Sequence, residues 1–401
     1  MPEDTVEVAR AKMLSGAVPL DSERIDIQAA LGRTLTQTLR APRAQPPFRA
    51  AAMDGFGVRA ADLSAGRFTV TAQVAAGAPG ASRAPGRGEA VRIFTGAPVP
   101  DGVDVIVPQE RARREGESVW LEAAAPARPN IREAGIDFRD GEVLISRGTR
   151  LHARHVALIA AAGIAVVSVV RPPRIGVLAT GNEIVSPGTA AAAHQIFDSV
   201  SFGLGAMIES WGAEARRIPA QPDEPAAIAA AVQRSLGGLD LLVIIGGASV
   251  GDYDLVKQSL AQLGLRMEVT RVAVRPGKPT WFGRVHGRPV LGLPGNAAAA
   301  LVCAHLFLRP LVLALLGRSA DEEAVAALLE GELADNGGSE WYLRATVRVG
   351  ADARLRVRAF ENQDTSLVSV LAAANALIRH PAGAAAVPDG APVEVRLLDR
   401  A

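Results

Sequence analysis

Residues 175–179 are apolar and run into Thr180-Gly181-Asn182-Glu183. Residues 241–245 are apolar and run into Gly246-Gly247-Ala248-Ser249-Val250-Gly251-Asp252. Residues 290–293 are apolar and run into Pro294-Gly295-Asn296. Three times a short apolar segment of strand length stops at glycine and small polar residues, and each time a helical pattern follows. That is how an open α/β sheet builds a ligand crevice outside the carboxyl ends of its strands. Glycine lets the backbone approach a ligand closely, and main-chain N–H groups at a following helix start favour an anion. One such turn is an ordinary connection. Three with acidic and hydroxyl side chains beside the glycines point to a binding site.

Outward from this stretch, residues 174–316 alternate strand and helix, which predicts a mostly parallel sheet covered on both faces. The apolar run 297–316 has the length of a membrane span. It carries His305, Arg309 and Pro310, so it reads as a buried helix broken at the proline. Upstream, residues 4–14 predict an amphipathic helix with Val6, Ala9, Met13 and Leu14 on one side. Residues 22–27 predict a strand and 27–39 a second helix. Between 44 and 140 the chain shows short strands separated by glycine and proline turns, an all-β module. Residues 141–170 return to mixed structure, with a helix over 155–162 and a strand over 166–170. They are expected to pack with the N-terminal helix, which makes the β module an insertion. Residues 321–329 read as a solvated connector. Residues 331–401 read as a small β domain with one helix near 367–374.

The 401 residues allow several domains with sizeable cores. Forty-three basic and 42 acidic residues leave a net charge of +1, which argues against a nucleic-acid protein that relies on a general basic surface. Cys303 is the single cysteine, so no intrachain disulfide forms and no cysteine zinc site exists. It reads as a small buried apolar residue. The N-terminus has no signal-peptide pattern, and the expected location is cytoplasmic with no membrane association.

Eight motifs occur in one order: Ala52-Met53-Asp54-Gly55-Phe56, Thr95-Gly96-Ala97-Pro98, Asn130-Ile131-Arg132, Thr180-Gly181-Asn182-Glu183, Gln195-Ile196-Phe197-Asp198-Ser199, the 246–251 turn, Arg275-Pro276-Gly277-Lys278-Pro279 and Leu293-Pro294-Gly295-Asn296. Together they resemble the molybdopterin molybdenumtransferases of the MoeA type, the family of the gephyrin E domain. The resemblance spans nearly the whole chain. It implies insertion of molybdenum from molybdate into adenylylated molybdopterin, with release of AMP and a divalent cation such as Mg²⁺. It also implies a four-part fold: a mixed N-terminal dimerisation domain (1–43 and 141–170), an inserted β module (44–140), a central mostly parallel α/β molybdopterin-binding domain (171–318) and a C-terminal β barrel (319–401). A homodimer is implied, its site combining the α/β domain of one subunit with the β module of the other. So are an adenylyltransferase partner and molybdoenzyme acceptors.

The resemblance assigns catalytic work to Asp54, Glu183, Asp252, Asp254 and Lys278, with Asp54, Asp252 and Asp254 nearest the metal. Substrate contacts fall to Thr95, Asp137, Thr180, Gly181, Asp198, Asp223, Gly246, Gly247, Ser249, Gly251, Arg271, Arg275, Pro294, Gly295 and Asn296. The chemistry suits these residues. Phosphates and an oxyanion call for backbone nests and cations, and a cation beside a phosphoanhydride calls for carboxylates. Asp198 and Asp223 each precede a helix and also read as caps. Arg271 and Arg275, four positions apart, would face one side of an extended strand. The family usually has lysines at both positions, a serine within the 297–299 segment that is Ala297-Ala298-Ala299 here, and asparagine where this chain has Val200. Two other readings remain at the level of sequence. One is a related adenylyltransferase or nucleotide pyrophosphatase on the same sheet. The other is a non-catalytic scaffold of the same fold.

Overall fold

The computed structural model describes residues 3–122, 128–246, 255–320 and 324–398. The chain forms two compact units, residues 24–169 and residues 1–23 with 170–401.

In the first unit a six-stranded sheet has the order Val105–Pro108, Gly55–Val58, Glu89–Ile93, Arg67–Val74, Ser118–Leu121, Ala112–Glu115. Phe56, Phe68, Val107 and Val119 fill one core, and Val74, Val91, Ile93 and Ile106 fill another. Five of them are the short strands expected between glycine and proline turns, and Ala112–Glu115 is an additional one. Before and after this sheet in sequence, the helix Ala153–Ala161 buries Ile159 in a core with Leu35, Leu39, Ile145 and Val167. The helix expected over 27–39 does not form. A single 3₁₀ turn, Ile27–Ala29, ends before Gly32 at φ +78°, and Thr34 and Leu35 then make β-bridges to Arg150 and Val169. Leu31, Leu35 and Leu39 imitate a helical spacing, but the glycine and the β-branched Thr34, Thr36 and Thr38 favour extended backbone.

In the second unit the main sheet has the order Glu214–Gln221, Arg174–Thr180, Leu241–Ile245, Arg288–Leu293, Trp281–Val285, Arg266–Val269. The first four strands are parallel, and Trp281–Val285 runs antiparallel to both of its neighbours, Arg288–Leu293 and Arg266–Val269. Alternate residues feed two cores. Ile175, Val177, Val243 and Leu291 face one, while Leu178, Leu242, Ile244 and Val290 face the other. Burial on both faces explains why the central segments 175–179, 241–245 and 290–293 are apolar, whereas the edge strand Glu214–Gln221 is largely polar and exposed. The N-terminal helix Val6–Leu14 contributes Val6, Ala9 and Met13 to the first of these cores and packs on Arg266–Val269 and Arg309–Leu315. This corrects the expected packing on residues 141–170: the small side of the helix matches the apolar sheet face.

The apolar run is a helix Ala297–Cys303, a π turn Ala304–Leu308 and a helix Arg309–Leu315. By length and composition it could cross a membrane, but 78% of its apolar window is buried in the protein, as for a core helix. The break lies just before Pro310, which lacks the N–H that a continuous ladder needs.

Five strands close the C-terminal barrel: Glu340–Val349, Leu355–Ala359, Val325–Leu329, Pro392–Leu397 and Ala376–His380, the last returning to the first. The expected connector over 321–329 is therefore a barrel strand from Val325 onward, with Ala327 and Leu329 buried. A further short strand, Val274–Arg275, lies parallel to Glu340–Trp341.

Candidate functional site

A crevice of about 690 Å³ opens at the carboxyl ends of the parallel strands. Its volume is that of a site for a cofactor-sized ligand. Thr180, Gly181, Glu183, Asp198, Asp223, Gly246, Pro294, Gly295 and Asn296 all line it, so nine of the residues expected at the site share one cavity. The turns meet backbone to backbone. Gly246 has φ +90°, and a Cβ there would stand 2.7 Å from the Thr180 carbonyl oxygen, while a Cβ on Gly295 would face the Gly246 Cα at 3.6 Å. The buried Thr180 hydroxyl donates to the Ile245 carbonyl at 3.3 Å, which ties two strand ends together.

One wall is a two-rung parallel ladder, Ile184–Val185 on Ile196–Phe197, with Ile196 and Phe197 exposed towards the cavity. Asp198 precedes the N-cap, Ser199, of the helix Val200–Ser210; it accepts from the Ser201 N–H at 3.0 Å and from the Ser201 hydroxyl, so it supports the first turn while it also lines the crevice. Asp223 is not the N-cap of the following helix, which is Glu224; its own N–H donates to Asn182 Oδ1 at 3.1 Å.

An adjoining pocket of about 280 Å³ shares Pro279, Pro294 and Asn296 with the crevice and adds Arg275, Lys278, Ser339 and Thr365. Ser339 and Thr365, with Ser366 in the main crevice, were not anticipated from sequence. They reach the site from the barrel. The Asn296 amide donates to Thr365 Oγ1 at 2.7 Å and the Ala299 N–H to the Thr365 carbonyl at 3.2 Å. The loop that carries them is held by Arg344, 1% exposed, which donates to the Asp364 carbonyl at 2.7 Å and to Gln363 Oε1 at 3.1 Å.

The three expected cations differ. Lys278 pairs with Glu3 at 2.7 Å. Arg275 stacks on Trp341, 4.8 Å from the ring centroid. Arg271 is half-buried and lines neither cavity. Residues 271–275 do not form one extended strand, because the backbone bends at Ala273, between the Val272 bridge to Asp4 and the Val274–Arg275 strand. The expectation that both arginines face one side therefore fails. Cys303 is buried as expected and its thiol is pushed up to about 12 by burial. It backs the 275–279 turn so closely that a Cβ on Gly277 would stand 2.0 Å from its Sγ.

In the first unit, Asp54 Oδ1 accepts from the Thr95 N–H at 2.8 Å and from the Thr95 hydroxyl at 2.7 Å. The backbone hydrogen bond from Thr95, then its hydroxyl, holds the Asp54 carboxyl below the usual range, with Arg92 adding to this. Arg92 itself lies over Phe56 and Phe94 and donates to the Gly55 carbonyl. Asp137 is exposed, and its N–H donates to the Gln45 carbonyl. Gly247, Ser249, Gly251, Asp252 and Asp254 lie outside the described residues. Among the described residues there is no group of three His, Cys, Asp or Glu side chains that could hold a metal.

Three family models match in order. The MoeA N-terminal region (domain I and II) matches residues 4–163, a probable molybdopterin binding domain residues 176–314, and the MoeA C-terminal region (domain IV) residues 326–398. A molybdopterin molybdenumtransferase of Nostoc sp. is 32% identical over 94% of this chain and 89% of its own length. One from Bacillus subtilis is 31% identical over 94% and 90%. Among solved structures, a molybdopterin biosynthesis MoeA protein from Pyrococcus horikoshii is 29% identical and superposes with a TM-score of 0.85 over 99% of both chains.

Proposed function

The chain belongs to the MoeA family of molybdopterin molybdenumtransferases, and on that premise we propose that it transfers molybdenum from molybdate to adenylylated molybdopterin with release of AMP. The observation that carries this reading is the single crevice at the strand ends, where Thr180, Gly181, Glu183, Gly246 and Gly295 converge. Its glycine turns admit a phosphate-bearing substrate against bare backbone. Arg275 in the adjoining pocket supplies positive charge for molybdate, with Lys278, paired with Glu3, beside it. Matches to the N-terminal and C-terminal regions as well as the binding domain favour this over an adenylyltransferase built on the sheet alone.

Release of AMP breaks a phosphoanhydride-type bond and places negative charge on the departing phosphate. We assign Mg²⁺ to that charge. The ionised Asp54 carboxylate has Oδ2 outside its two Thr95 hydrogen bonds, and a hard carboxylate oxygen suits a hard cation. Asp252 and Asp254 are the further donors this reading requires. Bound there, the ion would neutralise developing charge. The chain's own contribution is to hold the ionised Asp54 carboxylate in place through Thr95 and to grip the substrate through the crevice turns. The same reading makes the protein a cytoplasmic homodimer that receives its substrate from an adenylyltransferase and delivers cofactor to molybdoenzymes. The test is mass spectrometry of the purified protein with adenylylated molybdopterin, with and without molybdate. Molybdate-dependent AMP release is expected. AMP release that ignores molybdate, or none at all, overturns the reading.

A further inference from the structure

The fold treats the two cations of the smaller pocket differently. Lys278 Nζ lies 2.7 Å from Glu3 Oε1, so an acid compensates its charge. Arg275 has no ion pair among the described residues. Its guanidinium carbon sits 4.8 Å from the Trp341 ring centroid. The contact is built into the backbone. Val274–Arg275 runs parallel to the start of the barrel strand Glu340–Val349, with Arg275 directly opposite Trp341. Trp341 is also paired across its antiparallel ladder with His380, whose ring meets it edge-on at 6.3 Å. His380 is itself buried, with Nε2 3.1 Å from the Ala334 carbonyl.

An acidic partner would orient Arg275 but cancel its charge and occupy its donors. An aromatic face attracts the cation while leaving its five N–H groups unused. Stacking also suits a planar guanidinium better than an ammonium. The result is an oriented fork, with no ion pair among the described residues, beside a pocket that Asn296, Ser339 and Thr365 line with polar groups. That arrangement fits a tetrahedral oxyanion gripped through two hydrogen bonds.

We propose that Trp341 is a positioning residue that stacks Arg275 into the orientation in which it binds the oxyanion reactant. Only the identity of that anion, molybdate, rests on the function proposed above. The test is calorimetric titration of the full chain with molybdate, for the parent, Trp341→Leu, Trp341→Phe, Arg275→Lys, Arg275→Ala and the double variant Arg275→Ala/Trp341→Leu. Trp341→Leu is expected to weaken molybdate binding roughly fivefold, the scale of one cation–π contact. Trp341→Phe should recover most of that loss. Arg275→Lys, which leaves the barrel untouched, should weaken binding in the same direction. In the Arg275→Ala background, Trp341→Leu should add nothing. In turnover, Trp341→Leu should raise half-saturating molybdate while kcat at saturation stays near the parent value.

Parent-like binding by Trp341→Leu, or an equal loss in the Arg275→Ala background, overturns the inference, as does a parent that binds no molybdate. Should Trp341→Leu fail to fold, Arg275→Lys decides: parent-like binding by that variant would mean the planar stack is not what orients the charge. The titration needs no turnover. A parent that binds molybdate but releases no AMP therefore sinks the proposed function and leaves the titration to decide on Trp341.

Discussion

At the carboxyl ends of the central strands, the Thr180, Gly246 and Gly295 turns meet main chain to main chain and leave a crevice of about 690 Å³. In the β module, Asp54 is a half-exposed carboxylate anchored by the N–H and hydroxyl of Thr95. The first region is shaped by close approaches of backbone, which a Cβ on Gly246 would break. The second depends on one charge and two hydrogen bonds. On the proposed function the two regions divide the labour, with binding expected of the crevice and reactivity of the carboxylate. Substitutions in the two regions should then fail in different ways.

The largest effect is expected from Asp54→Asn, which keeps the shape and removes the charge. AMP release should fall on the order of a hundredfold or more, the scale of losing one electrostatic contact in an active site. Binding of adenylylated molybdopterin to the crevice should be unchanged. Equal losses in rate and affinity would erase the division between the two regions.

The next effect is opposite in kind. Gly246→Ala places a methyl 2.7 Å from the Thr180 carbonyl oxygen at a backbone φ of +90°. It should cost about 2 kcal/mol of stability, a value typical of backbone strain at one residue. Denaturant unfolding reads that loss, and substrate affinity should fall with it. A variant with parent stability and affinity would mean that the two turns need not touch.

The contrast also explains what could be read in advance. The three strand-end turns are local patterns of apolar residues and glycine, so the sheet and its crevice were legible from residues 174–316 alone. Asp54 and Thr95 are 41 positions apart, and only the resemblance to a family joined them. Thr365 and Ser366 escaped notice because they sit in a barrel loop, placed by the buried Arg344 and by the pairing of Val274–Arg275 with the barrel. Trp341 escaped for the same reason, since no local spacing links it to Arg275. The false helix over 27–39 arose from leucines that keep helical spacing while Gly32 and the threonines set the backbone.

The smallest effect tests how the carboxylate is tuned. Thr95 supplies the leading causes that lower the Asp54 ionisation, first through its N–H and then through its hydroxyl. A carboxylate with a depressed folded-state value contributes stability above its unfolded value and loses it as pH falls through the folded value. The same protonation would silence Asp54 in catalysis, so AMP release should show an acid limb below the ordinary carboxylate range. Thr95→Val removes the hydroxyl donor and leaves the backbone one. The acid limb should therefore move to higher pH without reaching the ordinary range, because the N–H bond and Arg92 remain. The rate near neutrality should change little, since Asp54 is ionised there in both proteins. The measurement is the pH profile of AMP release for parent and variant. A limb that stays in place while the neutral rate drops would show that Thr95 contacts the substrate rather than tuning Asp54, and the reactive side of the comparison would then rest on two residues instead of one.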